Sequence, residues 1–299
     1  MERRDFLKTS GLTISSLAIF GSEIAMGNLL ENPFKTQELR RGVGVFTEKG
    51  GTIAYLINKK GILVVDAQFP EQSTHLINEL KSKTERPFKY LINTHHHGDH
   101  TSGNISFKGM VGQVIAHENS LKNQTIVAIA AKNEDKQLFP TITFADTWKV
   151  KMGNEIIKAH YFGSAHTDGD ALIHFEHANV LHMGDLMFHK RYPAIDTASG
   201  ASVKNWINVL DKTLATFDNE TQFIFGHAFE NEPIIGGKEE IKLFQDYLHR
   251  LLEFAGNEIK AGKTKEEILA NKTLPNETLM KGDGILRGLT AAYNEQLLK

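Results

Sequence analysis

Short apolar runs alternate with amphipathic segments over most of this chain. Runs rich in β-branched and aromatic residues are typical of strands, whereas apolar residues at every third or fourth position predict helices. The pattern predicts helices over residues 72–83, 118–132 and 203–216. It predicts strands over residues 42–46, 52–58, 62–66, 88–92, 111–116, 141–151, 156–162, 171–175 and 179–181, and another that begins at 223. Periodicity alone therefore indicates a mixed α/β protein.

The pattern changes after residue 236, where strand-like runs give way to helical stripes. Ile241, Phe244, Leu248 and Leu251 make one stripe, and a second stripe begins at Leu286. Apolar stripes of this kind usually pack against other elements. We therefore predict a globular domain over residues 28–236 and a helical extension over residues 237–299 that packs on the core or on a dimer partner. The alternative is that this extension forms a wall or lid of the active site, and the oligomeric state stays open.

Composition narrows the classes of function. The 299 residues are 40% hydrophobic and 23% charged, which is ordinary for a globular protein. The formal net charge is −2 and no basic stripe stands out, so we do not expect a nucleic acid partner. The absence of cysteine excludes disulfides, thiolate catalysis and cysteine-ligated zinc.

The first residues predict an export signal. Residues 3–8 read Arg-Arg-Asp-Phe-Leu-Lys, which resembles a twin-arginine motif, and a mild apolar stretch follows over residues 12–20. That stretch is too short to span a membrane, which takes about 20 apolar residues. It fits the apolar part of a cleaved signal. We predict a signal peptide over residues 1–27, export by the twin-arginine translocase, a periplasmic or otherwise exported location, and no stable membrane anchor.

A cluster of possible metal ligands follows the apolar run 88–92. His95, His97, Asp99 and His100 lie within six residues, and imidazole and carboxylate are the groups that hold Zn²⁺, Fe or Mn at hydrolytic centres. A two-metal site needs further ligands, which should follow other strand-like runs. Three candidates do so, namely His166, Asp185 and His227. The sequence therefore predicts a catalytic metal site.

The motif order resembles that of the metallo-β-lactamase superfamily, over roughly residues 40–235. The resemblance implies a four-layer αβ/βα sandwich. It implies that Asp185 bridges two metals and that Asp66 supports the metal histidines from behind. The other implied ligands are His95, His97 and His166 for the first metal, and Asp99, His100 and His227 for the second. His96 is not assigned a role.

The resemblance also implies a reaction. We predict an exported hydrolase with two Zn²⁺ ions, for which Fe or Mn are alternatives, acting on a small-molecule ester, lactone or lactam. A metal-bridging hydroxide is the expected nucleophile, so no serine or cysteine is required. Asp99 is the predicted catalytic residue, because it would orient that hydroxide and pass a proton to the leaving group.

Three alternatives stay open. The first is a metallo-β-lactamase acting on β-lactam antibiotics, although one subclass of these enzymes has cysteine where this chain has Asp185. The others are a non-catalytic periplasmic metal-binding accessory protein and a mononuclear iron sulfur-dioxygenase. Lys190 or Arg191 could bind a substrate carboxylate, but loop charges are mostly solvated, so neither belongs to the predicted site.

Overall fold

The computed structural model describes residues 33–298, and the fold begins with a first β-sheet. The predicted signal peptide and the first residues of the predicted domain lie outside the described residues. The sheet has seven strands in chain order. Strands β1 to β4 pair antiparallel, and β4 to β7 pair parallel. Their bounds are β1 (Lys35–Glu38), β2 (Val43–Thr47), β3 (Ile53–Asn58), β4 (Gly61–Val65), β5 (Phe88–Ile92), β6 (Gln113–His117) and β7 (Ile142–Phe144).

The second half of the chain contributes eight strands. They are β8 (Thr147–Met152), β9 (Glu155–His160), β10 (Leu172–Phe175), β11 (Val180–His182), β12 (Phe188–His189), β13 (Gln222–Ile224), β14 (His227–Ala228) and β15 (Ile235–Gly236). Six of them form a sheet in the order β15-β13-β11-β10-β9-β8. Strands β12 and β14 form a separate two-stranded parallel ladder. That ladder brings the segment around residue 188 next to the segment around residue 227.

Seven α-helices accompany the sheets within the described part of the chain. They are α1 (Pro70–Lys83), α2 (Gly98–Thr101), α3 (Glu118–Ala131), α4 (Val203–Thr216), α5 (Lys238–Lys260), α6 (Lys265–Leu269) and α7 (Ile285–Leu297). Within residues 33–298, no helix combines the length and the apolar character that crossing a membrane would need.

Three buried clusters define the layers. In β4, Leu63 and Val65 face the second sheet, while Ile62 and Val64 face α1 on the other side. This alternation follows from the two-residue period of a strand, and it explains why β4 is apolar throughout. The second sheet is covered on its outer side by α4, α5 and α7. The predicted αβ/βα sandwich with C-terminal helices is therefore confirmed.

One predicted strand is two strands. The alternation over residues 141–151 predicts a single element, but the chain bends at Ala145 and Asp146. Strand β7 pairs with β6 in the first sheet, whereas β8 pairs with β9 in the second. The prediction was wrong because the two-residue period continues across the bend, so the pattern carries no sign that the chain changes sheets.

Loops from both halves meet at one end of the sandwich. The backbone N–H of Thr52 donates to the carbonyl of Gly226 (2.8 Å), and the N–H of Ala171 donates to that of Thr94 (2.8 Å). These bonds join loops of the first half to loops of the second. The loop after β5, the loop after β9, the segment after β11 and strand β14 carry the predicted metal ligands at this end.

Candidate metal centre

Asp66 holds the loop that follows β5. Its Oδ1 accepts a hydrogen bond from the backbone N–H of Thr94 (2.8 Å), and its Oδ2 accepts one from the Thr94 hydroxyl (2.7 Å). The same Oδ2 lies 2.7 Å from Nδ1 of His100, and both side chains are buried. The pairing leaves Nε2 of His100 facing the centre. The family resemblance implies a supporting role for Asp66 behind the metal histidines, and the structure places its carboxylate against His100.

The first group of possible ligands is His95, His97, His166 and Asp185, whose ligand atoms all lie within 4.8 Å of one another. Nε2 of His166 lies 2.9 Å from Nδ1 of His97 and 3.4 Å from Oδ2 of Asp185. Nδ1 of His166 donates to the carbonyl of Ala194 (2.8 Å), which leaves Nε2 as its ligand atom. Nε2 of His95 is buried without a hydrogen-bond partner, as expected of an atom that faces a cation.

The second group is Asp99, His100 and His227. Nε2 of His227 lies 3.1 Å from Oδ2 of Asp99 and 3.4 Å from Nε2 of His100. Oδ1 of Asp185 lies 3.0 Å from Nε2 of His100 and 3.3 Å from Nε2 of His227. The two oxygens of Asp185 therefore face different groups, Oδ2 the first and Oδ1 the second.

The electrostatics favour the metal-binding forms of His95, His166, Asp99 and Asp185. Burial would lower the pKa of His100 and of His227, but Asp185 raises both, so a cation would displace a proton from each of these two imidazoles. Burial lowers the pKa of His166 to about 3 and the pKa of His95 well below its usual value, so both imidazoles are neutral. Burial would raise the pKa of Asp185, but His227 and His100 hold it well below its usual range. Burial likewise opposes ionisation of Asp99, yet its hydrogen bond with His227 lowers its pKa to about 2. Neutral imidazoles and ionised carboxylates are the donors that Zn²⁺, Fe and Mn accept, so the residues fit a metal.

Asp196 is a residue of the site that the sequence analysis missed. Its Oδ2 lies 3.0 Å from Nε2 of His97 and 3.5 Å from Nε2 of His96. Hydrogen bonds from His96 and His97 hold the pKa of Asp196 well below its usual range. Asp196 lies 99 residues after His97, and locally it is an N-cap, because its Oδ1 accepts a hydrogen bond from the backbone N–H of Ser199.

His96, His97 and Asp196 form a third group with ligand atoms within 4.8 Å. This group would use Nε2 of His97, whereas the first group uses Nδ1 of the same ring. The first group has four donors and includes the unpartnered Nε2 of His95, so we assign His97 to it. Nε2 of His96 also lies 3.3 Å from the hydroxyl of Ser199, and His96 lies outside the two main groups.

A cavity of about 630 Å³ opens onto both main groups. Phe188 forms part of its wall and stacks on the His227 ring, with the ring centroids 5.3 Å apart. The C-terminal extension supplies another part of the wall, so it packs on the core and also borders the site. The lining residues from the loop after β12 and from the extension are Arg191, Tyr192, Pro193, Ala194, Asp283, Gly284 and Arg287.

Residues 48–227 match the family model described as the Metallo-beta-lactamase superfamily. The matched segment covers more than half of the chain and contains Asp66 and every residue of the two main groups. The chain belongs to the metallo-beta-lactamase superfamily. The predicted family is thereby confirmed, and homologues and structural neighbours within it are metal-dependent hydrolases, the class predicted for this chain.

Two proteins with similar sequences are named for different activities. The type 2 metallo-beta-lactamase of Elizabethkingia meningoseptica is 21% identical over 231 residues, which cover 76% of this chain and 89% of the lactamase. The 2,4-dinitroanisole O-demethylase subunit alpha of Nocardioides sp. is 27% identical over 161 residues, or 53% of this chain and 48% of that subunit.

Among solved structures, a double mutant of the sec-alkyl sulfatase PisA1, an enzyme from Pseudomonas sp., superposes with a TM-score of 0.70. The identity is 15%, and the alignment covers 88% of this chain and 50% of the sulfatase. The chain therefore spans about half the length of the sulfatase and of the O-demethylase subunit. At this identity the superposition shows a shared fold.

Proposed function

We propose that the protein is a two-metal hydrolase of a small-molecule ester, lactone or lactam. The observation that carries the proposal is the position of Asp185, whose Oδ1 faces His100 and His227 while its Oδ2 faces His95 and His166. A carboxylate with one oxygen toward each of two ligand groups is suited to bridging a pair of cations. Zn²⁺ is the proposed metal, with Fe or Mn as alternatives, because the donors are nitrogen and oxygen atoms.

Two bound cations would supply an activated water and polarise the bond to be cleaved. The residues of the chain position the reaction around them. Asp99 is half-buried and borders the cavity, so its carboxylate can hold the nucleophilic water and pass a proton to the leaving group. Phe188 and Tyr192 give the cavity an apolar wall beside the charged centre, against which an apolar part of the substrate can pack.

We further propose that the protein acts after export. The twin-arginine motif at residues 3–8 supports this, since proteins exported by the twin-arginine translocase carry signals of this kind. The predicted partners are the translocase and a small-molecule substrate.

The test combines metal analysis with turnover. The mature protein, from residue 28, is analysed for metal and assayed on aryl esters, lactones and a chromogenic cephalosporin, with and without chelator. Two metals per chain with chelator-sensitive turnover are expected, and the substrates that react will choose among ester, lactone and lactam. Two metals without turnover on any class would contradict the hydrolase proposal and favour an accessory role. One iron per chain with oxygen uptake would favour a sulfur-dioxygenase.

A second candidate is hydrolysis of a sulfate ester. Residues 1–236 make up about four fifths of the chain, so the alignment to the sulfatase over 88% must include part of the C-terminal extension. The alignment to the lactamase, over 76%, need not do so. The extension borders the cavity, so a relative that shares it is informative about the substrate. Release of sulfate from a secondary alkyl sulfate, blocked by chelator, is the expected result for this candidate.

A further inference from the structure

Two arginines are among the residues that line the cavity. Arg191 follows β12, and Arg287 lies in the first turn of α7. Both are exposed, and within residues 33–298 neither guanidinium has a carboxylate oxygen within 4.0 Å. Among the described arginines, Arg41 and Arg250 do form ion pairs, and neither of them lines the cavity. The cavity is therefore lined by two arginines that form no ion pair within the described part of the chain.

The neighbouring lysines, Lys190 and Lys281, are both paired with an acidic side chain. Nζ of Lys190 lies 2.7 Å from Oε2 of Glu232, and Nζ of Lys281 lies 2.5 Å from Oε1 of the same side chain. Hydrogen bonds from Lys190 and Lys281 lower the pKa of Glu232 to about 2, so the three charges form an ion cluster. The sequence could not choose between Lys190 and Arg191 as a substrate contact. The structure pairs Lys190 with Glu232 and leaves Arg191 in the cavity.

The two arginines are also held relative to each other. The backbone N–H of Lys281 donates to the carbonyl of Lys190 (2.9 Å), and Arg191 and Lys281 form a parallel β-bridge. Gly284 then adopts a φ of +143°, and a Cβ there would lie 3.1 Å from Cβ of Tyr192. Only glycine tolerates both the backbone angle and the close approach. The extension is thus fixed to the loop after β12 just before α7 places Arg287.

The charges around the cavity favour an anionic ligand. Asp99 and Asp185 face the ligand groups, so Asp283 is the one remaining acidic residue among the lining residues. Two divalent cations at the ligand groups would exceed the charge of Asp99 and Asp185 by two. Arg191 and Arg287 add two further positive charges, against one negative charge from Asp283. A cavity of this sign attracts anions and disfavours cations.

We propose that Arg191 and Arg287 form an anion-binding subsite that holds a carboxylate, sulfate or phosphate group of the substrate. The planar fork of a guanidinium matches the paired oxygens of each of these groups. The subsite would orient an anionic substrate with its scissile bond toward Asp185. This assignment of the substrate class rests on the proposed hydrolase function, whereas the binding of the anion does not depend on turnover.

The first test measures equilibrium binding to the metal-loaded protein by calorimetry. The probes are benzenesulfonate, benzoate and phenylphosphonate, with benzamide as the neutral comparator. At least one anion is expected to bind about 10-fold more tightly than benzamide, and the tightest anion identifies the group. Arg191→Gln and Arg287→Gln should each weaken that binding about 5-fold to 20-fold. Unchanged anion affinity in both variants would overturn the subsite.

Lys190→Gln is the matched control. It removes the same charge as Arg191→Gln, one residue earlier, from a side chain that is paired with Glu232. It should leave anion affinity within about 2-fold of wild type. A loss equal to that of Arg191→Gln would show a general effect of net charge and would contradict the proposal. Metal content and thermal melting of each variant establish that the fold and the centre are intact.

The second test separates the subsite from the hydrolase function. It compares 4-nitrophenyl acetate with the anionic mono-4-nitrophenyl succinate. The arginine variants should raise KM for the succinate ester alone and leave both kcat values nearly unchanged. Equal effects on the two esters would overturn the subsite while the hydrolase function stands. If neither ester reacts, the ester form of the hydrolase proposal fails, and the calorimetric result alone decides the subsite.

Discussion

Oδ2 of Asp196 lies 3.0 Å from Nε2 of His97, on the opposite edge of the ring from the nitrogen that faces His166. A carboxylate in this position fixes the orientation and the tautomer of a metal-binding imidazole. Asp196 is therefore a positioning residue, because it acts on the centre through His97.

Replacing Asp196 should weaken the metal held by the first group. In Asp196→Ala, His97 loses the acceptor at Nε2, and we expect the affinity for that metal to fall about 10-fold to 100-fold. Competition with a coloured chelator measures the affinity. Ser199→Ala is the control, since it removes the contact of the hydroxyl with His96 and keeps Asp196 in place. Wild-type affinity in Asp196→Ala would rule out the positioning role.

Because the two oxygens of Asp185 face different ligand groups, replacing Asp185 should affect both metal positions, whereas replacing one histidine should affect one position. Asp185→Asn should lower occupancy of both groups, because each loses a charged oxygen, whereas His97→Ala should empty the first group alone. Elemental analysis after dialysis gives the number of metals per chain. His96→Ala should retain the wild-type number. Full occupancy by both metals in Asp185→Asn would contradict a bridging position.

Gly51 allows the second group to be perturbed without removing a ligand. A Cβ on this residue would overlap the imidazole of His100. Gly51→Ala should therefore displace that ring and reduce occupancy of the second group, while the first group keeps its metal. Gly237→Ala is a suitable control, because its Cβ would meet one atom at 3.8 Å, an ordinary contact. Two metals per chain in Gly51→Ala would show that the ring can move without loss of binding.

The raised pKa of Asp170 predicts that the stability of the metal-free protein depends on pH. Burial raises its pKa to about 7, although Thr167 donates two hydrogen bonds to it. The unfolded value is about 3.9, so folding takes up a proton between about pH 4 and pH 7. The free energy of unfolding should therefore fall as the pH rises through this range, by up to about 1.4 kcal/mol per pH unit.

Urea denaturation at pH 5, 6 and 7 measures this effect. In Asp170→Asn the contribution is absent, because an amide does not titrate, and its Oδ1 can still accept from the Thr167 N–H. The difference in unfolding free energy between wild type and variant should shrink or reverse as the pH rises. Parallel profiles for the two proteins would contradict the raised pKa.

The metal ligands could be predicted from the sequence because each follows a short apolar run. The run over β5 ends just before His95, and the run over β11 ends just before Asp185. Chain order and residue type were therefore informative, and the family resemblance added the grouping. The bend between β7 and β8 could not be predicted, because both sides of Ala145 keep the same two-residue period.

Asp196 and Arg287 could not be predicted for another reason. Each lies in or next to a loop whose sequence indicates only a cap or a turn. Their roles depend on which other loop they meet, namely His97 for the first and the segment after β12 for the second. The position of Arg287 depends on the packing of α7 against α5 and the second sheet, which periodicity does not describe.

The passage of the chain from one sheet to the other divides both ligand groups. His95 and His97 come before the bend and His166 after it, while Asp99 and His100 come before it and His227 after it. Neither half of the chain alone could hold a cation with a complete set of donors. During synthesis, the first group becomes complete only once Asp185 has been added, and the second only once His227 has. A complete set of donors therefore exists only late in the synthesis of the chain, and the first set is completed before the second.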